Sequence, residues 1–269
     1  MPRQILRLPL TFTFLLLMGS ESRAAYRVER VASGLNQPMF VAQAPGDSSS
    51  LYIVERQGPS GGAGRILKRD LSSATNDVFL DFAGNNFTGD GGVLSMAFHP
   101  DFQTNGKFYT ATSFNGGVNN LRNRVQEYRV VAGSPVLQRT VLEYDNLLNP
   151  FHTLNMMAFD PLAAGAERDY MTILLGDGGT QATQAGFVNH AQDLSQVYGK
   201  ILRVDVSDGA DAYPSDPKKN FDIPATNPFA GDGNPSTLGE VYASGFREPF
   251  RGSYDRLTGD FYVGNVGHT

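Results

Sequence analysis

The 269-residue sequence contains no cysteine, no tryptophan and only four histidines, and its longest apolar stretch is too short to span a bilayer comfortably. Without cysteine there is no disulfide framework, zinc finger, thiolate-held iron–sulfur centre or cysteine nucleophile. An H-E-x-x-H pair, a G-x-S-x-G elbow and a P-loop are also missing, so the chemistries those motifs mark find no support. Helical periodicity longer than a turn or two is absent, except around residues 189–198, where the pattern admits a helix. The composition is nonetheless that of a packed protein: 41% hydrophobic, 18% charged and 11% aromatic residues, with 30 Gly and 15 Pro.

The first residues read as a targeting segment. Arg3 and Arg7 precede the apolar run Leu8–Gly19, and Ser22-Arg23-Ala24 places small residues at the −3 and −1 positions of a cleavage site. A secretory signal over residues 1–24 is expected, with an uncleaved anchor as the alternative. Residues 25–269 would then be a secreted or periplasmic domain with no stable membrane association. Removing Arg3, Arg7, Arg23 and Glu21 leaves 19 basic and 26 acidic residues, a net charge of −7. Such a surface repels phosphate backbones, and with no basic cluster to override it no nucleic-acid partner is expected.

Self-similarity carries the fold assignment. Met96-Ala97-Phe98-His99-Pro100 recurs as Met157-Ala158-Phe159-Asp160-Pro161, and each copy leads through a turn into a strand-like run, Lys107–Thr112 and Tyr170–Leu175. Degenerate copies begin at Met39 and Phe250. Further β-rich runs lie between them, separated by turn pairs such as Asn105-Gly106 and Thr258-Gly259. Short strands in groups of about four, repeated around a recurring turn, predict an all-β fold of the β-propeller type. The stretch from Ser207 to Ser236, rich in Asp, Pro, Asn and Gly, reads as a long loop of the kind that builds binding faces.

The four histidines bound the acid–base chemistry. His99 sits in the repeat turn, where Asp160 replaces it one repeat later, and reads as structural; His190 reads as a surface or capping residue. His152 lies just before a repeat strand, where strands enter the central funnel of a propeller, and its position alone leaves catalysis and structure both open. Gly176-Asp177-Gly178-Gly179 and Gly89-Asp90-Gly91-Gly92 read first as tight turns, with backbone approach to a ligand as the alternative. Asn86-Phe87-Thr88 is an N-glycosylation sequon, relevant to a eukaryotic source.

Six segments in order, Leu51–Arg56, Ala97–Phe102, Gly176–Gly179, Ala191–Leu194, Gly199–Arg203 and Gly245–Arg251, resemble the glucose/sorbosone dehydrogenase family of soluble quinoproteins. Related propellers are like the Hedgehog-interacting proteins. The resemblance implies a six-bladed propeller of which about four blades are present, so the sequence is expected to be the N-terminal portion of a longer domain. It implies pyrroloquinoline quinone (PQQ) and calcium as cofactors, an aldose sugar as substrate and an unidentified electron acceptor. By the same resemblance His152 is the general base, Asp90 contacts the sugar, Arg247 and Glu248 belong to the cofactor-binding segment, and the backbone carbonyls of Gly267 and His268 bind calcium. Leu154 and Asn155 stand where the family has two glycines after its histidine, and Glu248 where it has Asn. A non-catalytic secreted propeller that binds a glycan or a protein stays open beside the enzyme, as does a calcium-stabilised structural propeller.

Overall fold

The strand that begins each repeat is apolar along its whole length, and the fold explains why. In the computed structural model, residues 27–59, 61–116, 121–147, 149–179 and 189–267 are described. The expected signal segment 1–24 and His268 lie outside them. Three four-stranded antiparallel sheets follow one another: β1 (Pro38–Ala42) to β4 (Asn76–Asp81), then β5 (Gly92–Phe98), β6 (Lys107–Asn115), β7 (Leu121–Val131) and β8 (Ser134–Asp145), then β9 (Leu154–Phe159), β10 (Tyr170–Leu175), β11 (Lys200–Asp205) and β12 (Val241–Ser244). In the first sheet β2 is Ser50–Gln57 and β3 is Ala63–Asp70. A hairpin of β13 (Pro249–Tyr254) and β14 (Phe261–Asn265) comes last. The expectation of about four blades thus resolves into three full sheets and one strand pair among the described residues.

Each sheet runs in simple meander order, so its first strand lies innermost. β5 is buried at all seven positions because neighbouring blades cover both of its faces. The outer β4, Asn-Asp-Val-Phe-Leu-Asp, is exposed or half-buried throughout. Apolar side chains fill the seams between blades. Tyr52, Ile66, Met96 and Phe108 pack the first seam; Tyr109, Leu154, Ile173 and Leu202 pack the second. Met156, Leu174 and Ile201 pack against Phe261 and Val263 of the last hairpin. Residues 31–269 form one compact unit.

Arg251, on β13, ties the inner strands together. Its guanidinium donates to the carbonyls of Met39 on β1 (3.2 Å), Leu94 on β5 (3.1 Å) and Asn155 on β9 (3.1 Å). One planar fork of donors thereby joins four blades below the mouth of the ring.

Antiparallel order places the connections alternately at two ends. At one end, the repeat turn after β5 carries His99 and a single helical turn, Phe102–Asn105. The long loop 206–240 also starts at that end, since Asp205 pairs with Tyr170 at the start of β10. This loop does not line the central mouth. It binds β8 through Glu143 N to Lys218 O (2.8 Å) and Asn220 N to Val141 O (2.9 Å), and buries Phe221 between blades. Its buried Glu240 accepts from Tyr213 Oη and Lys219 Nζ. The helix admitted at 189–198 shrinks to a single 3-10 turn, His190–Gln192. Asp193 ends it by accepting from the backbone and hydroxyl of Ser195, a local bond that competes with helix continuation. Among the described residues no helix is long and apolar enough to cross a membrane.

Candidate active site

Four segments meet at the other end: those entering β5, β9 and β13, and the one leaving β10. His152 precedes β9, and its backbone takes a left-handed φ of 52°. Histidine is among the few side chains that tolerate this region, at a cost of about 1 kcal/mol or more. Neighbouring segments hold the strained turn in place. Asp90 Oδ2 accepts the backbone N–H of His152 (3.0 Å), and Asp90 N donates to Pro150 O (2.7 Å). Gly178 N donates to His152 O (3.2 Å). Gly176 leaves room for this approach: a Cβ there would lie 2.4 Å from the carbonyl carbon of His152.

His152 is 7% exposed, and its imidazole is fixed from one side only. Its Nδ1 lies 2.6 Å from Asp177 Oδ1, which also accepts from Gly179 N (3.0 Å). A carboxylate accepts, so Nδ1 carries the hydrogen and Nε2 keeps its lone pair for the pocket. Asp177 is placed in turn by its own N–H, which donates to Arg247 O (2.8 Å). Nε2 faces Glu248, whose Oε2 is 3.8 Å away. Burial pushes the Glu248 carboxyl above its ordinary range, with Asp90 and Asp177 adding to the rise; His152 and Arg247 oppose it. Its main chain is pinned by Asn265 Oδ1 at its N–H (3.0 Å) and by Val266 N at its carbonyl (2.9 Å).

Two adjoining hollows, of about 410 and 270 Å³, share Asp90, Glu248 and Val266 as walls. The larger is also lined by His152 and Arg247, the smaller by Arg56. Arg56 braces the Asp90 turn by donating to Gly91 O (2.7 Å) and to Gly89 O. Arg247 donates from one terminal nitrogen to Val266 O (3.3 Å), while its buried Nε has no hydrogen-bond partner among the described residues.

Of the residues singled out in the sequence, Asp90, His152, Arg247 and Glu248 therefore share one pocket. Asp90 spends one oxygen on the His152 backbone, and its carboxyl also lines both hollows. Gly267 follows the wall residue Val266 and is exposed, and His268 lies outside the described residues. The sequence pattern marks Asp177 only as a turn residue, yet it is the partner that sets the imidazole. The available signal is an acid placed immediately after the second strand of a repeat, where the chain returns to the same end as His152.

These features define a β-propeller with a carboxylate-oriented histidine at the mouth of its central axis. The chain belongs to the Glucose / Sorbosone dehydrogenase family, whose model matches residues 35–269. It is 28% identical to human Hedgehog-interacting protein over 251 residues, 88% of this chain and 33% of that protein. The structure is similar to that of a candidate oxidoreductase (glucose dehydrogenase) from Thermus thermophilus, with a TM-score of 0.65 and 25% identity over 88% of this chain and 60% of that one. The PQQ-bound aldose sugar dehydrogenase of Streptomyces coelicolor shares the fold at a TM-score of 0.63 and 21% identity, over 90% of this chain and 60% of that one. The chain thus spans a third of the length of the curated relative and about 60% of the solved structures.

Proposed function

We propose that this chain carries the base-bearing part of an exported, quinone-dependent dehydrogenase that oxidises an aldose at C1 to the lactone. The observation behind the reading is the His152–Asp177 pair, which leaves Nε2 unprotonated toward a pocket lined by further polar groups. Family membership and the likeness to the Thermus protein support it.

Removing hydride from C1 of a sugar leaves a protonated carbonyl unless a base takes the hydroxyl proton. His152 Nε2 is placed for that task, and Asp177 stabilises the imidazolium that results. The free oxygen of Asp90 is available to orient a sugar hydroxyl. PQQ bears carboxylates, and the pocket offers such an anion donors on one side, where Arg247 brings a buried Nε with no hydrogen-bond partner among the described residues and Arg56 stands on the adjoining wall, while the acid of Glu248 between them opposes it when ionised. When bound, that quinone supplies the acceptor for the electron pair leaving C1. Among the described residues no group of three or more His, Cys, Asp or Glu is placed to hold a metal ion. The carbonyls of Gly267 and His268 are left as the proposed ligands, and no step is routed through the ion.

The test is reconstitution with PQQ and calcium, followed by oxidation of a panel of aldoses with an artificial electron acceptor. Sugar-dependent reduction is expected, falling by about 10²–10⁴-fold in His152→Ala. No oxidation across the panel, or a His152→Ala rate equal to wild type, sinks the catalytic reading.

A second reading has its own support, the match to a relative named for interaction with Hedgehog. In it the chain is a secreted propeller that binds a glycan or protein without catalysis. Calorimetric titration with PQQ separates the two, because a pure binding module has no specific affinity for the quinone.

A further inference from the structure

His152 has partners of the same charge type on every side, yet they cannot share one role. Asp177 holds Nδ1 and Asp90 holds the main-chain N–H, so both are committed to position. Glu248 is different. Its main chain is fixed at both N–H and C=O, but no hydrogen bond among the described residues ties its carboxyl down. That carboxyl faces the open nitrogen at 3.8 Å, beyond direct hydrogen bonding but within reach of a side-chain rotation or one bridging water. It also lines both hollows, so it touches the base on one side and the solvent-connected space on the other.

A base that takes a proton in each cycle must lose it before the next. The His152 side chain is 9% exposed, and its Nδ1 edge is closed by Asp177, leaving the Nε2 edge as the way out. We propose that Glu248 is the proton acceptor that clears His152 after each oxidation and passes the proton to pocket water. This inference rests on the dehydrogenase reading above and gives Glu248 a role beyond lining the cofactor surface.

The balance closes without a new reagent. The substrate O–H bond breaks and its proton joins Nε2, while the C1 hydrogen would leave together with its bonding electron pair, as hydride, to the quinone when that group is bound. The Nε2–H bond then breaks and the proton joins Glu248 Oε2, from which water carries it away. The charged groups facing Glu248 suit the second transfer. Burial, with Asp90 and Asp177, raises its proton affinity, while the imidazolium and Arg247 lower it. An asparagine at this position, as in the family pattern, could not carry a proton in this way.

The test pairs a kinetic arm with a spectroscopic one. In Glu248→Gln, measured at saturating quinone, the first turnover should fall far less than the steady-state rate. Steady-state turnover in dilute buffer should fall on the order of tenfold, less than the 10²–10⁴ of losing the base itself, and recover as imidazole is added. A steady rate equal to wild type in dilute buffer overturns the proposal. So does a loss that already appears in full in the first turnover and ignores imidazole. The spectroscopic arm needs no activity: carbon-13 NMR follows the Glu248 carboxyl in the cofactor-free chain, its resonance identified by disappearance in Glu248→Gln. In His152→Ala its titration midpoint should move upward, because the imidazolium that lowers it is gone. An unmoved midpoint means the two groups exchange no charge and overturns the proposal. A wild-type chain that oxidises no sugar defeats the dehydrogenase reading instead, and the NMR arm still decides whether the pair is coupled.

Discussion

Two histidines at opposite ends of the same blades differ in how fully their neighbours satisfy them. His99, in the repeat turn, is 1% exposed. Its Nδ1 accepts from Asp101 N (3.0 Å) and from Asn105 Nδ2 (2.9 Å), so Nε2 carries the hydrogen and donates it to Asp169 (2.8 Å). Both ring nitrogens are satisfied, and the ring packs edge-on against Phe159 of the next blade. His152 is nearly as buried but has one nitrogen satisfied, a left-handed backbone and an open face toward a pocket. Burial is common to both. What differs is saturation, and an unsaturated nitrogen held at a cost in backbone strain is the mark of a reactive position.

The comparison can be broken most decisively by exchanging the two losses. His152→Ala should cost about 10²–10⁴-fold in turnover while the folded population stays near wild type. His99→Ala should lower stability by about 1–3 kcal/mol, by leaving Asp169 and the Asp101 N–H without their partner, with turnover per folded molecule unchanged. Denaturant melts together with active-site-normalised rates separate the two, and a catalytic defect in folded His99→Ala would undo the division between the ends.

Asp177→Asn sharpens the same contrast. An amide can donate to Nδ1, which favours the tautomer with Nε2 protonated and spoils the base. A loss of about 10²–10⁴ in kcat with little change in KM is expected from steady-state kinetics. Gly176→Ala comes next in size. A methyl 2.4 Å from the His152 carbonyl must push that backbone away, costing about 1–3 kcal/mol in a urea melt.

The smallest effect concerns Glu248 and runs opposite to intuition about charged residues. Its folded-state proton affinity is raised by burial, so the folded chain binds more protons than the unfolded one above the ordinary carboxylate range. Stability contributed by the protonated form is present at low pH and lost as pH rises through the folded-state midpoint. Glu248→Gln should therefore melt higher than wild type at neutral pH, and the difference should vanish at acid pH. Calorimetry across that range checks the sign.

Much of this architecture is legible in the sequence because the repeat marks a physical necessity. Met-Ala-Phe-x-Pro recurs where an innermost strand, buried on both faces, must turn outward, so its apolar residues and its proline recur together. His152 stands out by its position before a repeat strand, whereas Asp90, Arg247 and Glu248 are reached through the resemblance to the family. Asp177 is hidden because its glycine neighbours give the same pattern as an ordinary turn, and the partner it meets is 25 residues away in sequence. The loop 206–240 misleads for a related reason: composition shows that a segment is irregular but not at which end of a blade it begins. Its packing depends on Phe221 and Glu240 finding partners on other strands, which local pattern does not encode.

The central arginine adds a statement about order in time. The bond from Arg251 to Met39 closes a loop of 212 residues, so nothing in the first blade can be locked to the last hairpin until nearly all of this chain has left the ribosome. Each four-stranded sheet is made of neighbours in sequence and can form as it emerges, whereas Arg247 and Glu248 arrive with β13. His152 and Asp177 therefore leave the ribosome before Arg247 and Glu248, and the pocket is built from segments that reach it at different times.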